Sequence, residues 1–114
     1  MVHVYISMAY GDDNNADTRL ANVRAAMNLW HELACTGKFA PYCPHLSHFL
    51  HEHIARFRSF WLTQVGSWVS RCDCVLMIGE KTEGMEFEER EARLHQIPVF
   101  RSVEVLRAAY GVQI

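Results

Sequence analysis

The sequence lacks a long apolar run, an excess of one charge and a cysteine spacing typical of metal sites. No apolar stretch reaches the roughly 20 residues of a membrane-spanning helix, so no membrane partner is predicted. The formal net charge of −2 leaves no basic surface for sequence-independent binding of nucleic acid. The four cysteines have no CxxC spacing, which favours reduced thiols and a cytoplasmic protein.

The N-terminus also lacks the basic start of a secretory signal, because MVHVYISMAY opens directly into strand-like sequence. Half of the 114 residues are apolar, which is enough to bury one core. We therefore expect a single domain over residues 1–114.

Apolar patterning predicts strands that alternate with helices. The predicted strands or extended pieces cover residues 2–7, 39–44, 74–79 and 97–100, and a GDDNN turn covers 11–15. The predicted helices run from Asn15 or Asp17 to Gly37, over 46–62 with a second helical piece to Ser70, over 85–95, and from near Ser102.

Continuous apolar strands alternating with helices indicate a parallel sheet covered on both faces. The predicted fold is α/β, a three-layer sandwich with a four- to five-stranded parallel sheet of the Rossmann or flavodoxin kind. Ligands of such folds lie at the carboxyl ends of the strands. The loops after Ser7, Pro44 and Gly79 should therefore surround one crevice.

The segment EKTEGMEFEEREA, residues 80–92, contains six glutamates interrupted by Gly-Met. Pairs four residues apart on the predicted helix stabilise it: Glu86 with Arg90, Glu89 with Arg93, and Glu91 with His95. Glu88 remains without a partner, and the residues one turn away, Gly84 and Ala92, are small. Glu88 is therefore either one more solvated charge or a carboxylate that faces the crevice.

Five segments occur in an order that resembles the nucleoside 2-deoxyribosyltransferase-like superfamily, especially its small phage and bacterial members. They are VYISMAYGDD, Asn22 with Ala26, PHLSH, RCDCVLMIG and TEGMEFEEREA. Together they cover almost the whole chain. The resemblance implies an N-glycosidase or deoxyribosyltransferase that acts on a nucleoside or nucleoside monophosphate, without a cofactor. It also implies a homodimer or a higher homo-oligomer.

The resemblance also implies roles for individual residues. Glu88, four residues after Gly84, takes the place of the family's nucleophile, and Tyr5 that of the tyrosine that positions it. Thr82 stands where relatives have a serine that helps to bind the 5′-phosphate. Further substrate contacts are implied at the end of the first strand, in the PHL-x-H motif and at the glycine before the nucleophile: Ser7, Met8, Tyr10, Gly11, His45, His48 and Gly84.

One position departs from the family pattern. Catalytic relatives carry a second acid, an aspartate, where this sequence has approximately Val65. No acidic residue occurs between Glu52 and Asp73, so the usual assistance to the sugar or the leaving base is missing. The alternative is therefore a non-catalytic module that binds nucleotides as a sensor or a sequestering protein.

Histidines and aromatic residues cluster in the middle of the chain. The segment HEHIA does not match the HExxH zinc motif, because Ala55 stands at the second ligand position. No metal site is predicted, and His45 or His48 is a candidate to replace the missing acid. Phe57, Phe60, Trp61 and Trp68 belong either to the core or to a subunit interface.

Overall fold

The computed structural model describes residues 1–11 and 15–112. Its elements in chain order are β1 (Val2–Met8), α1 (Ala16–Ala34), β2 (Phe39–Tyr42), α2 (Ser47–His53), α3 (Arg58–Gly66), β3 (Cys74–Ile78), α4 (Glu83–Leu94), β4 (Val99–Phe100) and α5 (Val103–Ala109). The strands form one parallel sheet in the order β2-β1-β3-β4. The predicted α/β fold is confirmed, whereas most of the predicted GDDNN turn lies outside the described residues.

Helices cover both faces of this sheet, and alternate residues of β1 point to opposite sides. Val4 and Ile6 belong to a buried cluster with α1 and α5 residues such as Leu33 and Leu106. Tyr5 belongs to a second cluster on the other face, with residues of α4. The period of two in a strand therefore directs Tyr5 toward α4.

Three helices, α1, α4 and α5, begin after a polar residue that caps them. The side chain of Asn15 accepts a hydrogen bond from Thr18 N at the start of α1. Ser102 caps α5 in the same way. Thr82 caps α4 by accepting from Met85 N. Each cap satisfies a backbone donor that has no partner within its helix.

The prediction of one helix over 46–62 was wrong, because the chain becomes extended between α2 and α3. Ile54 and Phe57 both have extended backbone angles. The Nδ1 atom of His51 lies 3.3 Å from Arg56 N and 2.7 Å from Trp61 Nε1. This ring links the end of α2 to α3 and stabilises the break.

The helical spacing of apolar residues continues through the break, but the apolar residues there are exposed. Their spacing therefore does not mark a helix face that packs on the core. Leu50, Ile54 and Phe57 are 61%, 56% and 87% exposed. The second helical piece, predicted to reach Ser70, ends as α3 at Gly66 and is followed by a 3-10 turn at Val69–Arg71.

All four cysteines are free thiols, and only Cys35 among them is exposed. Among the residues that the structure describes, no helix is long and apolar enough to cross a membrane.

Candidate active site

Glu88 lies in the second turn of α4 and is only 6% exposed. It is therefore not a solvated charge. Ser7 Oγ donates a hydrogen bond to Glu88 Oε1 at 2.7 Å, and the Tyr5 hydroxyl donates to Oε2. Both donors belong to β1 and lie on the α4 face of the sheet. The two oxygens of the carboxylate are thus fixed by separate side chains of one strand.

The neighbouring glutamates of α4 have ordinary surface partners. Glu89 Oε1 lies 2.7 Å from Lys81 Nζ and 3.2 Å from Arg93 Nη2. Glu91 contacts His95 at 3.7 Å. The predicted pair of Glu86 with Arg90 is not among the ion pairs of the described residues.

Burial controls the ionisation of the Tyr5 and Glu88 pair. Burial raises the pKa of Glu88 from 4.5 to about 7, although the hydrogen bonds from Tyr5 and Ser7 act in the opposite direction. The pKa of Tyr5 is raised well above its ordinary value, first by burial and then by the nearby carboxylate. Tyr5 therefore stays a hydrogen-bond donor, and Glu88 changes charge near neutral pH.

A cavity of about 430 Å³ opens at the carboxyl ends of the strands, where parallel α/β sheets bind ligands. Its volume is in the range of small-molecule sites. Seven of the site residues predicted from the sequence line it: Met8, Tyr10, Gly11, His45, Thr82, Gly84 and Glu88. Tyr5 and Ser7 are fully buried and reach the cavity only through Glu88.

His45 fixes the loop that follows β1. Its Nε2 atom lies 2.9 Å from the carbonyl oxygen of Met8, which makes Nε2 the donor. The ring is 5% exposed, and burial lowers the pKa of His45 below its ordinary value. A neutral ring committed to a backbone carbonyl is suited to positioning the loop.

His48, the other histidine of the PHL-x-H motif, does not line the cavity. It is 2% exposed, and its Nδ1 atom lies 2.6 Å from the hydroxyl oxygen of Tyr10. Its Nε2 atom is 2.6 Å from Glu52 Oε1. His48 therefore contacts the cavity through Tyr10.

Sequence reasoning missed the wall formed by α2, α3 and the break between them. Arg56, Arg58, Trp61 and Leu62 line the cavity there. Arg58 Nη1 lies 3.5 Å from Glu83 Oε2. Because residues 46–62 were predicted to form one continuous helix, this wall was not expected. The signal available was the pair of arginines at 56 and 58, two cations beside the predicted strand-end crevice.

Val65 also lines the cavity. The position at which the sequence resemblance leads us to expect a second acid thus lies at the site and is apolar. Among the described lining residues, the carboxylates are Glu83 and Glu88. Glu83 has an 81% exposed side chain and pairs with Arg58. Over the same part of the chain, no group of three or more His, Cys, Asp or Glu side chains could hold a metal ion.

Comparison of the chain with curated proteins and with solved structures gives no match. A family model described as "Domain of unknown function (DUF7768)" matches residues 2–102. This range includes every element of the sheet and every residue of the site, and the chain therefore belongs to the DUF7768 family.

Proposed function

We propose that this protein is an N-glycosidase or deoxyribosyltransferase that uses Glu88 as its nucleophile on a nucleoside or nucleoside monophosphate. The observation that carries the proposal is a buried carboxylate, held by Tyr5 and Ser7, on the wall of a cavity at the carboxyl ends of the strands. The resemblance to the nucleoside 2-deoxyribosyltransferase-like superfamily supports the same function. We also propose that the protein works in the cytoplasm, because free cysteines are typical of that compartment.

The chemistry is a two-step displacement at the anomeric carbon of the sugar. A carboxylate oxygen of Glu88 forms a bond to that carbon, while the bond to the base breaks and its electrons leave with the base. Water or a second base then attacks the sugar ester and releases the carboxylate, as in retaining glycosidases. With a pKa of about 7, about half of the Glu88 side chains are ionised at neutral pH.

Tyr5 and Ser7 give this carboxylate its orientation. Each hydroxyl donates to a different oxygen of Glu88, so rotation of the carboxylate would break both bonds. Such fixed geometry lowers the reorganisation that the reaction requires. Both donors also favour the charged form of Glu88, which is the form that attacks.

The N-terminus of α4 supports recognition of a phosphate group. Thr82 Oγ accepts from Met85 N, which leaves the backbone N–H groups of Glu83 and Gly84 without partners inside the helix. Arg58 approaches the same turn, and an added Cβ on Gly84 would lie 3.6 Å from its Nη2 atom. A helix N-terminus beside a guanidinium favours an anionic ligand.

A non-catalytic nucleotide-binding module is the second candidate, and Val65 is the observation that favours it. Its apolar side chain stands on the cavity wall at the position where relatives are expected to carry an acid. A general acid contributes roughly 100- to 10,000-fold in rate. A protein without a substitute for this acid would bind a nucleotide and turn it over very slowly.

Incubation with a panel of nucleosides and nucleoside monophosphates, followed by chromatography for free base, tests the proposal. Glu88→Gln keeps the size of the side chain and removes the attacking charge, so cleavage should vanish while ligand binding persists. Glu86→Gln, on the exposed side of the same helix, is the matched control and should cleave like the wild type. Undiminished cleavage by the Glu88 variant would exclude the nucleophile role. Binding without any cleavage by the wild type would favour the binding module.

A further inference from the structure

Tyr10 places a phenol side chain on the wall of the Glu88 cavity. Its carbonyl oxygen accepts a hydrogen bond from Asn22 Nδ2 at 3.0 Å. Its ring makes edge contacts with His45 and His48, at centroid distances of 6.5 and 5.6 Å. The backbone and the ring of Tyr10 are therefore both held in place, which is the preorganisation that a reacting group needs.

A connected series of polar groups lies behind Tyr10. The phenol oxygen is 2.6 Å from Nδ1 of the buried His48. Nε2 of the same ring is 2.6 Å from a carboxylate oxygen of Glu52, in an ionic contact that lacks the alignment of a hydrogen bond. The Glu52 side chain is 64% exposed. Tyr10, His48 and Glu52 thus connect the cavity to the surface through one imidazole.

We propose that Tyr10, supported by His48 and Glu52, protonates the leaving base and replaces the second carboxylate that is absent at Val65. This inference rests on the proposed function, because a proton donor is needed only if a glycosidic bond is broken. Two other titratable groups on the wall are less suited to the role. His45 commits Nε2 to Met8, and Glu83 is exposed and paired with Arg58.

No proton is gained or lost by the protein over the two steps. In the first step Glu88 bonds to the anomeric carbon, the base leaves with the electron pair, and the Tyr10 hydroxyl gives its proton to the base. The proton on Nδ1 of the His48 imidazolium passes to the Tyr10 oxygen, and neutral imidazole remains beside the Glu52 carboxylate.

In the second step water attacks the sugar ester and Glu88 leaves as a carboxylate. The water gives a proton to the Tyr10 oxygen, whose own proton returns to His48 Nδ1. The sum is a nucleoside and water converted into a free sugar and a free base. The chain returns to its starting state.

The role of Tyr10 is tested by comparing substrates that differ in their need for a proton donor. Ordinary purine and pyrimidine nucleosides, with and without a 5′-phosphate, release a base that must be protonated. A nucleoside of 7-methylguanine, or a p-nitrophenyl glycoside of the same sugar, releases a group that leaves without a proton. We expect Tyr10→Phe to lower kcat/KM on ordinary nucleosides by about 100- to 10,000-fold, and on activated substrates by less than about tenfold.

The supporting residues are tested by the same substrate dependence. Glu52→Gln and His48→Gln should show the selective loss at a smaller size, because each acts through Tyr10. Glu52 is exposed, so its variant keeps the test valid if loss of the buried histidine impairs folding. Tyr110→Phe, which removes a hydroxyl on the α5 face of the sheet, is the control and should cleave both substrate classes like the wild type.

Each remaining outcome has a definite meaning. Equal loss on both substrate classes, or no loss on either, would overturn the role of Tyr10 and leave the Glu88 nucleophile intact. The same conclusion holds if the wild type cleaves activated substrates only. A wild type that cleaves neither class would refute the proposed function itself, and with it the role of Tyr10.

Discussion

Replacing Glu88 with Gln should stabilise the protein at alkaline pH and have little effect at acidic pH. The pKa of this carboxyl group is 4.5 in its ordinary state and about 7 in the folded protein. Between these values the folded state binds more protons than the unfolded state, so the free energy of unfolding falls as pH rises. The cost of ionising the buried group is fully present above the folded pKa.

The size of the effect follows from the shift. A difference of 2.5 between 7 and 4.5 corresponds to about 3.5 kcal/mol at about 1.4 kcal/mol per pKa unit. The difference in unfolding free energy between Glu88→Gln and the wild type should therefore increase by about 2 to 3 kcal/mol in favour of the variant from about pH 5 to about pH 8. Groups that titrate in both proteins cancel from this difference.

Urea unfolding at the two pH values measures this quantity, and the slopes with urea should agree between variants. Glu86→Gln is the control on the exposed side of α4. Its difference from the wild type should stay within a few tenths of a kcal/mol at both pH values. An advantage of Glu88→Gln that does not change with pH would refute the raised pKa, and with it the account of a carboxylate poised at neutral pH.

Three further predictions concern the site, its packing and assembly. Tyr5→Phe removes a hydrogen bond that lowers the pKa of the nucleophile, so the acid limb of kcat/KM for nucleoside cleavage should move to higher pH; a stationary limb would contradict this. Gly66→Ala places a methyl 2.4 Å from a Phe87 ring carbon and should cost about 1 to 3 kcal/mol. Gly84→Ala meets no atom closer than 3.6 Å and should raise stability by up to about 1 kcal/mol. The opposite order in urea unfolding would refute the packing of α3 on α4. The apolar groove beside α2 and α3, which includes the exposed Leu50, favours a symmetric dimer, and a monomer in light scattering at about tens of micromolar would count against it.

The sheet could be predicted from the sequence because its strands are short, continuous apolar runs with turn residues or prolines nearby. The start of α4 was placed two residues late, because its cap at Thr82 precedes a first turn of charged and small residues. Glu88 could be singled out because the other glutamates of the predicted helix over 85–95 had partners at helical spacing. That elimination succeeded although one of its assumed pairs, Glu86 with Arg90, does not form.

Contacts between distant segments could not be predicted in the same way. The hydroxyl of Tyr10 meets a ring that is 38 residues away in the chain, and no local pattern encodes this distance. The break after α2 depends on the bonds of His51 to Arg56 and Trp61. Exposed apolar residues continued the helical spacing across it. For these reasons the wall formed by α3 emerged only from the folded structure.

The most direct test of Glu88 as nucleophile is to trap the sugar on it. A nucleoside with a fluorinated sugar and an activated leaving group forms the sugar ester faster than water removes it. Mass spectrometry of the digested protein should find one sugar on the peptide that carries Glu88, and Glu88→Gln should carry none. Release of the leaving group with no sugar bound to Glu88, or with the sugar on another residue, would contradict the account.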